Sequence, residues 1–194
     1  MSASRRPEPM TLTEFLAWEE RQPERWEFDG FAPVAMTGGT VAHDLITGNV
    51  GAALRARLRG GPCRARGPNL KVEVAGRARY PDAFVTCGPA APGDTVVADP
   101  VVVFEVVSDS SQHTDRVEKM NEYRATPSVR RYVMLEQTAA MATVFARTED
   151  GRWVGEIVRA GEALAMPEVG IAALPLDELY LDVDLAPPGP PPAA

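Results

Sequence analysis

The stretch Pro100–Val107, with the sequence PVVVFEVV, is a very apolar run that predicts a buried β-strand. Side chains alternate between the two faces of a strand, and apolar residues on both faces are typical of a strand inside a covered sheet. The exception is Glu105, which shares its face with Val103 and Val107. An ionised carboxylate without partners would cost several kcal/mol there. We therefore expect Glu105 to form a buried salt bridge, to reach solvent at the strand end, or to bind a cation.

The sequence on both sides of this strand predicts a sheet flanked by helices. Further short strands are predicted at 63–65, 70–74, 79–87, 130–135, 142–147 and 153–158. Helical spacing of apolar residues predicts helices at 12–21, from Val41 to Gly60, and at 114–125. Thr11 and Glu14 are spaced as a capping box for the first helix, and Asp29-Gly30 predicts a hairpin turn within 26–35.

The composition is that of an ordinary soluble globular protein. Of the 194 residues, 45% are hydrophobic and 24% are charged, and one domain is expected at this length. We place that domain at 11–185, after a flexible N-terminus at 1–10 and before a disordered, proline-rich tail at 186–194. No apolar run approaches the roughly 20 residues of a membrane span, and the first residues lack the apolar stretch of a signal peptide. We therefore expect a cytoplasmic protein that does not enter a membrane.

The two cysteines, Cys63 and Cys87, are few for a chain of this size. Such a count favours a reducing compartment and leaves room for one disulfide. A zinc site that combined these cysteines with His43 and His113 would lack the short paired spacing of zinc motifs. We therefore do not expect a zinc protein.

The net charge of -7 and the pI of about 4.9 argue against a nucleic-acid partner when they are taken as averages. The charge is unevenly distributed, however, because residues 50–80 carry eight basic residues and only one acid, Glu73. The basic residues of this block are Arg55, Arg57, Arg59, Arg64, Arg66, Lys71, Arg77 and Arg79. The block is either a solvated charged surface or a contact for a nucleic-acid backbone.

A second carboxylate, Asp82, lies in the strand predicted at 79–87 and follows Pro81. If this strand neighbours the one that carries Glu105, the two carboxylates form a minimal site for a hard cation such as Mg²⁺ or Mn²⁺. On the helix after the apolar strand, Lys119 could neutralise the carboxylates and orient an attacking water. The alternative is an exposed ion pair between Lys119 and Asp115, one helical turn away.

The order of these residues resembles a known family. Pro81-Asp82 is followed by Glu105-Val106-Val107-Ser108, and then by Asp115, Glu118-Lys119, Tyr123 and Tyr132. Upstream stand Glu27, Gly30, Met36 and His43, the last of which opens a long predicted helix. The ordered set, from about residue 12 to about residue 180, is similar to the Uma-type restriction endonucleases of the PD-(D/E)xK nuclease superfamily.

The resemblance implies a restriction-endonuclease-like α/β core, in which a central mixed sheet is flanked by helices and preceded by an N-terminal helix and hairpin. It implies that Asp82, Glu105 and the main-chain carbonyl of Val106 hold Mg²⁺ or Mn²⁺. The catalytic lysine of the superfamily usually stands two residues after the glutamate, where this chain has Val107. Lys119 takes the matching place on the following helix.

The resemblance also implies roles for two upstream residues. Glu27 would supply a further acid near the metal, and His43 would act as a helper base or contact a phosphate. The alternatives are a surface acid at a hairpin edge for Glu27 and an ordinary polar residue at a helix N-terminus for His43.

The function expected from these residues is metal-dependent hydrolysis of DNA phosphodiester bonds. A homodimer is a further expectation, because nucleases that cut both strands commonly pair two sites about a twofold axis. The alternative function is a catalytically silent nucleic-acid-binding or regulatory module on the same fold. A serine hydrolase built on the segment from Ser108 to His113 is not favoured, because triad members usually come from separate elements and the chain has no Gly-x-Ser-x-Gly motif.

Overall fold

The structure is a computed structural model, and it describes residues 9–36, 38–107 and 113–185. The predictions of flexibility at 1–8 and of disorder at 186–194, and the serine segment 108–111, lie outside the described residues. The helices are α1 (Leu12–Glu19), α2 (Val41–Leu58), α3 (His113–Ala125) and α4 (Leu176–Leu179). The strands are β1 (Trp26–Phe28), β2 (Pro33–Ala35), β3 (Arg64–Arg66), β4 (Lys71–Val74), β5 (Arg77–Arg79), β6 (Ala83–Thr86), β7 (Val96–Val97), β8 (Pro100–Val107), β9 (Arg131–Glu136), β10 (Met141–Arg147), β11 (Trp153–Arg159), β12 (Ala163–Met166) and β13 (Ile171–Pro175).

The apolar run Pro100–Val107 forms β8, an inner strand of a six-stranded sheet with the order β11-β10-β9-β8-β6-β3. It pairs parallel with β9 and antiparallel with β6, so the sheet is mixed as predicted. Val102, Phe104 and Val106 belong to one buried cluster together with apolar residues of α2. Val103 belongs to a second cluster with Tyr123 of α3. The predicted alternation of the two faces is therefore confirmed.

A second, five-stranded sheet with the order β2-β1-β5-β4-β7 lies on the α3 side of the first. The sequence predicted one strand over 79–87, but the structure divides it into β5 and β6, which belong to different sheets. Pro81 stands at the division, and its missing N–H suits the point where the chain leaves one ladder for another. Asp82 therefore precedes β6 instead of lying within a continuous strand.

The N-terminal helix and hairpin are formed as predicted. Thr11 and Glu14 make the capping box of α1 in both directions. β1 and β2 pair antiparallel around a loop in which the Asp29 carboxylate accepts hydrogen bonds from the N–H groups of Phe31 and Ala32. Gly30 has a φ of 94°, which glycine adopts at little cost.

The C-terminal part of the chain holds elements that the periodicity of the sequence did not predict. β12 and β13 form a two-stranded sheet, and a short 3-10 helix at Pro167–Val169 connects the two strands. These strands and α4 add buried apolar residues to the cluster under α2, among them Leu164, Leu174 and Leu179. The segments are too short to display a clear period, so their packing is visible only in the folded chain.

Cys63 and Cys87 are joined by a disulfide, which is the alternative that the cysteine count left open. It connects the residue before β3 with the residue after β6, two strands that are already paired. Because both sulfurs are bonded to each other, neither cysteine is available as a zinc ligand. The cytoplasmic location stays a prediction. Among the described residues, no helix is long and apolar enough to cross a membrane.

Candidate active site

The two predicted carboxylates come together at the start of β6. In the antiparallel ladder Ala83 pairs with Phe104, so the next position of the register brings Asp82 beside Glu105. Both side chains are largely buried, with 13% of Asp82 and 9% of Glu105 exposed. Two acids thus face one point at the edge of the hydrophobic core.

Asp82 is held by a backbone group and by a histidine. Its Oδ2 atom accepts a hydrogen bond of 2.7 Å from the Val106 N–H, and its Oδ1 atom lies 3.1 Å from Nε2 of His43. The hydrogen bond with Asp82 raises the pKa of His43 against the opposing effect of burial, and the charges of Asp82 and Glu105 raise it further. His43 is placed by the first turn of α2, where the Thr40 hydroxyl accepts a hydrogen bond from the His43 N–H.

The two carboxylate oxygens of Glu105 have different partners, a hydroxyl group and an ammonium group. Tyr123 donates to Oε1 at 2.7 Å, and Nζ of Lys119 lies 3.4 Å from Oε2. Burial raises the pKa of Glu105 to about 7; Lys119 and the Tyr123 hydrogen bond oppose the rise, while the charges of Asp82 and Glu27 add to it. The site therefore concentrates negative charge that a cation would stabilise.

Lys119 lies between two acids from different sheets. Its Nζ atom is 3.4 Å from Glu105 and 3.7 Å from Oε1 of Glu27, which β1 supplies. Glu27 also accepts a hydrogen bond of 3.0 Å from the Tyr80 N–H. The structure thus brings Glu27, His43, Asp82, Glu105 and Lys119 together around one site. The surface position considered as the alternative for Glu27 does not occur, since its side chain is mostly buried. The side chain of Asp115, the alternative partner of Lys119, lies outside the described part of the structure.

A buried ion-pair network that sequence reasoning missed supports Glu27. The Arg79 guanidinium donates to both oxygens of Glu122, at 2.7 and 2.6 Å, and to Oε2 of Glu27 at 3.2 Å. Burial alone would lower the pKa of Arg79, but Glu122 and Glu27 raise it well above its usual value. Glu122 and Tyr123 follow Lys119 on α3, and this proximity was the one signal available in the sequence. Arg79 gave no separate signal, because it belonged to the basic block.

The structure divides the cations of the basic block between pairing within the protein and exposure to solvent. Lys71 is only 2% exposed and pairs with Glu19, and Arg79 is only 3% exposed. Arg57 is bound to Glu178, and Arg77 lies 3.3 Å from Glu122. Four of its eight cations thus neutralise acids within the protein, and contact of the remaining cations with a nucleic-acid backbone stays a prediction.

The donor chemistry of the site fits a hard divalent cation. Mg²⁺ is usually bound through one or two carboxylates, with waters and substrate phosphates completing its coordination. Asp82 and Glu105 supply two carboxylates. Val106 donates its N–H toward Asp82, and in a strand the carbonyl of the same residue points to the same side. Among the described residues, no three His, Cys, Asp or Glu side chains gather closely enough to hold a metal without such further ligands.

A cavity of about 360 Å³ opens beside His43 and is lined by Gly39, Thr40, Val41 and Asp44. A β-carbon on Gly39 would lie 3.0 Å from Nδ1 of His43, so glycine lets the backbone pass close to the imidazole. The His43 side chain, which is 26% exposed, borders this cavity.

Comparison with known proteins agrees with this fold. A solved structure from Anabaena variabilis ATCC 29413, described as a putative nuclease belonging to DUF820, superposes with a TM-score of 0.71. The match covers 89% of this chain and 98% of that one, at 14% sequence identity. With its mixed sheets and flanking helices, this chain therefore shares its α/β fold with that protein.

Residues 12–177 match the family model of Uma2, described as "Putative restriction endonuclease", and the chain belongs to that family. Two proteins of Synechocystis sp. strain PCC 6803, both described as uncharacterized, are also similar. The protein slr1290 is 29% identical over 170 residues, which are 86% of this chain and 89% of that protein. The protein sll1609 is 23% identical over 150 residues, or 75% and 85% of the two chains. The resemblance found in the sequence is confirmed, and the family supports a nuclease-like function.

Proposed function

We propose that this protein is a Mg²⁺- or Mn²⁺-dependent endonuclease that hydrolyses DNA phosphodiester bonds. The observation that carries the proposal is the pair of carboxylates, Asp82 and Glu105, that meet across β6 and β8 with Lys119 3.4 Å from Glu105. Two acids from neighbouring strands and a lysine from the following helix match the arrangement that the family resemblance implies. The name of the family and that of the Anabaena structure point to the same class of reaction.

Asp82, Glu105 and the carbonyl of Val106 would hold the cation. A bound divalent ion polarises a phosphoryl oxygen and lowers the pKa of a water molecule. The protein contributes orientation: the Val106 N–H fixes one oxygen of Asp82, and the Tyr123 hydroxyl fixes one oxygen of Glu105. The remaining oxygens face His43 in the case of Asp82 and Lys119 in the case of Glu105.

Lys119 supplies positive charge where the phosphate would bind. Fixed cations of this kind stabilise the charge that develops on a phosphoryl group and help to position the attacking water. Glu27 and Glu105 hold the ammonium group between them. The long lysine side chain lets a helical residue serve where the superfamily usually has a lysine on the strand.

His43 is placed to contact a phosphate or to act as a helper base. Its Nε2 atom is engaged with Asp82, and its ring borders the cavity at the start of α2. Asp82 fixes the orientation of the ring, so the two residues act together. We expect His43→Asn to reduce cleavage less than loss of either carboxylate does.

The test is cleavage of supercoiled plasmid and of labelled DNA oligonucleotides by the purified protein with Mg²⁺, with Mn²⁺ or with EDTA. We expect cleavage with either metal and none with EDTA. Asp82→Asn and Glu105→Gln should abolish it, whereas Glu73→Gln, which changes an exposed acid on β4, should cut like the parent. Uncut DNA with both metals, or full activity of both site variants, would reject the proposal.

The alternative of a catalytically silent binding module has one observation in its favour. Each carboxylate already has a protein partner beside it, the His43 imidazole for Asp82 and the Lys119 ammonium group for Glu105. A silent module would bind DNA in EDTA and show no metal-stimulated cleavage in the same preparation. A homodimer also stays a prediction, which light scattering of the purified protein at several concentrations would test.

A further inference from the structure

Four arginines form a surface that the active site does not use. Arg25 donates to the carbonyl of Pro68, and Nη2 of Arg55 lies 3.8 Å from the position of a β-carbon on Gly67. Arg66 directly precedes this glycine. Arg64 stands two residues earlier on the same edge strand, β3, so it shares a face with Arg66. We call Arg25, Arg55, Arg64 and Arg66 the arginine surface.

These cations are not neutralised by the protein. Arg25, Arg55 and Arg64 are exposed and Arg66 is half-buried. None of the four makes an ion pair within 4 Å with any acid in the described part of the chain, in contrast to Arg57, Lys71, Arg77 and Arg79. Their side-chain hydrogen bonds to described residues go only to backbone carbonyls. The surface therefore keeps four positive charges in a protein whose net charge is -7.

The arginine surface begins next to the candidate active site. β3 pairs antiparallel with β6, and Arg66 stands opposite Phe84, two residues after Asp82. From the rise along a strand and the spacing between strands, the Cα atoms of Arg66 and Asp82 are about 8 Å apart. Arg66 and Phe84 point to the same side of the sheet, the side that also carries Glu105. A polyanion bound along β3 would thus lead directly to the two carboxylates.

We propose that the arginine surface binds the phosphate backbone of DNA and leads it into the site. The inference rests on the proposed function and deepens it, because it assigns substrate binding to a surface separate from the residues that would perform hydrolysis. Arginine suits this task, since its guanidinium is always charged and matches a phosphate with two donors. Exposed unpaired arginines in an acidic protein fit a partner of the opposite charge.

The experiment measures binding of a short fluorescein-labelled DNA duplex by anisotropy in EDTA, over a series of salt concentrations. The variant is Arg55→Gln with Arg64→Gln, two exposed positions outside the site. The matched control is Arg152→Gln with Arg159→Gln, which removes the same charge near β11, at the opposite edge of the same sheet. Each phosphate contact contributes about 0.9 to the slope of log K against log salt.

We expect the arginine-surface variant to bind more weakly and to lose about 1.8 from that slope, while the control keeps the parental slope. Equal slopes for both variants and the parent, equal losses in both variants, or no binding by the parent would overturn the inference. The nuclease proposal fails separately: a parent that binds with the expected slope but does not cut DNA with Mg²⁺ or Mn²⁺ supports the arginine surface and rejects the nuclease. Circular dichroism confirms that both variants are folded.

Discussion

Glu105 is the residue in which burial and chemistry conflict most strongly. It lies on an otherwise apolar face of β8, and its partners do not compensate for the loss of water, since its pKa rises to about 7. The conflict was visible in the sequence, because one glutamate interrupted a run of valines. Its partners Tyr123 and Lys119 were visible only as members of the following helix. Perturbed acids of this kind are common at functional sites.

Glu105→Gln should stabilise the protein at alkaline pH while it abolishes cleavage. The pKa of Glu105 is raised in the folded state from its ordinary value of 4.5, so the carboxylate favours folding when protonated and opposes it when ionised. The variant should therefore gain stability over the parent as the pH rises from about 4.5 to about 7, by on the order of 1–3 kcal/mol. Urea unfolding in EDTA near the two ends of this range measures the difference. A stability difference between variant and parent that is the same at both ends would contradict the assignment, and Glu73→Gln serves as the exposed control.

Substitution of Arg79 should lower the free energy of unfolding more than substitution of most other charged residues. Arg79→Met removes the guanidinium that donates to the buried carboxylates of Glu122 and Glu27, which should cost about 3–5 kcal/mol of unfolding free energy. The longer contacts of these acids with Arg77 and Lys119 remain. Arg79→Lys keeps the positive charge but not the bidentate hydrogen bonds to Glu122, and we expect an intermediate loss of unfolding free energy. The control is Arg152→Met, whose solvent-exposed pair with Asp150 should contribute little to stability. Equal losses at both arginines in urea unfolding would show that the buried network adds no stability.

Among the elements, α2 connects the site to the C-terminal part of the chain. Its first turn places His43 at Asp82, and its last turns reach α4, where Arg57 makes two hydrogen bonds to Glu178. The apolar period of α2 was clear in the sequence, and so was its end at Gly60. Its partner α4 was not predicted, because a helix of four residues is too short to show an apolar period. Long amphipathic elements are thus predictable from sequence, and the short ones that cover them are known only after folding.

The contact between Arg57 and Glu178 should contribute a small, pH-dependent stability. The hydrogen bond with Arg57 lowers the pKa of the Glu178 carboxyl, so the contribution is present above the ordinary value of 4.5 and is lost as the pH falls through the lowered value. A double-mutant cycle with Arg57→Gln and Glu178→Gln should give a coupling of about 0.5–1 kcal/mol near neutral pH, since both side chains are partly exposed. A coupling that persists unchanged in acid would contradict the ion-pair origin.

The disulfide between Cys63 and Cys87 should stabilise the edge of the larger sheet. The two cysteines are 24 residues apart, and a crosslink of that length removes about 3 kcal/mol of chain entropy from the unfolded state. Reduction, or the Cys63→Ser and Cys87→Ser double variant, should therefore lower the melting temperature. Calorimetry with and without reductant measures the change. An unchanged melting temperature, together with two thiols that react with an alkylating reagent before any reduction, would contradict the crosslink.

In the whole molecule, the basic residues considered in the sequence fall into three groups. Some basic residues of 50–80 are buried partners of acids, Lys119 belongs to the site, and the arginine surface faces solvent. The sequence alone did not distinguish the buried basic residues from the exposed ones, because both kinds lie in the same block of 50–80. The two-sheet arrangement was hidden in the same way, since the segment from Arg79 to Cys87 looks like one strand until Pro81 divides it. The candidate site residues, in contrast, could be chosen from the sequence, and the structure brings them together.

The central claim is that Asp82 and Glu105 share a divalent cation, and the most direct measurement is anomalous diffraction from a crystal soaked in Mn²⁺. The account predicts an anomalous peak between the two carboxylates, within coordinating distance of both and of the Val106 carbonyl. Crystals of Glu105→Gln, soaked in the same way, should lose the peak. A well-diffracting Mn²⁺-soaked crystal of the parent protein with no anomalous density at that position would contradict the account.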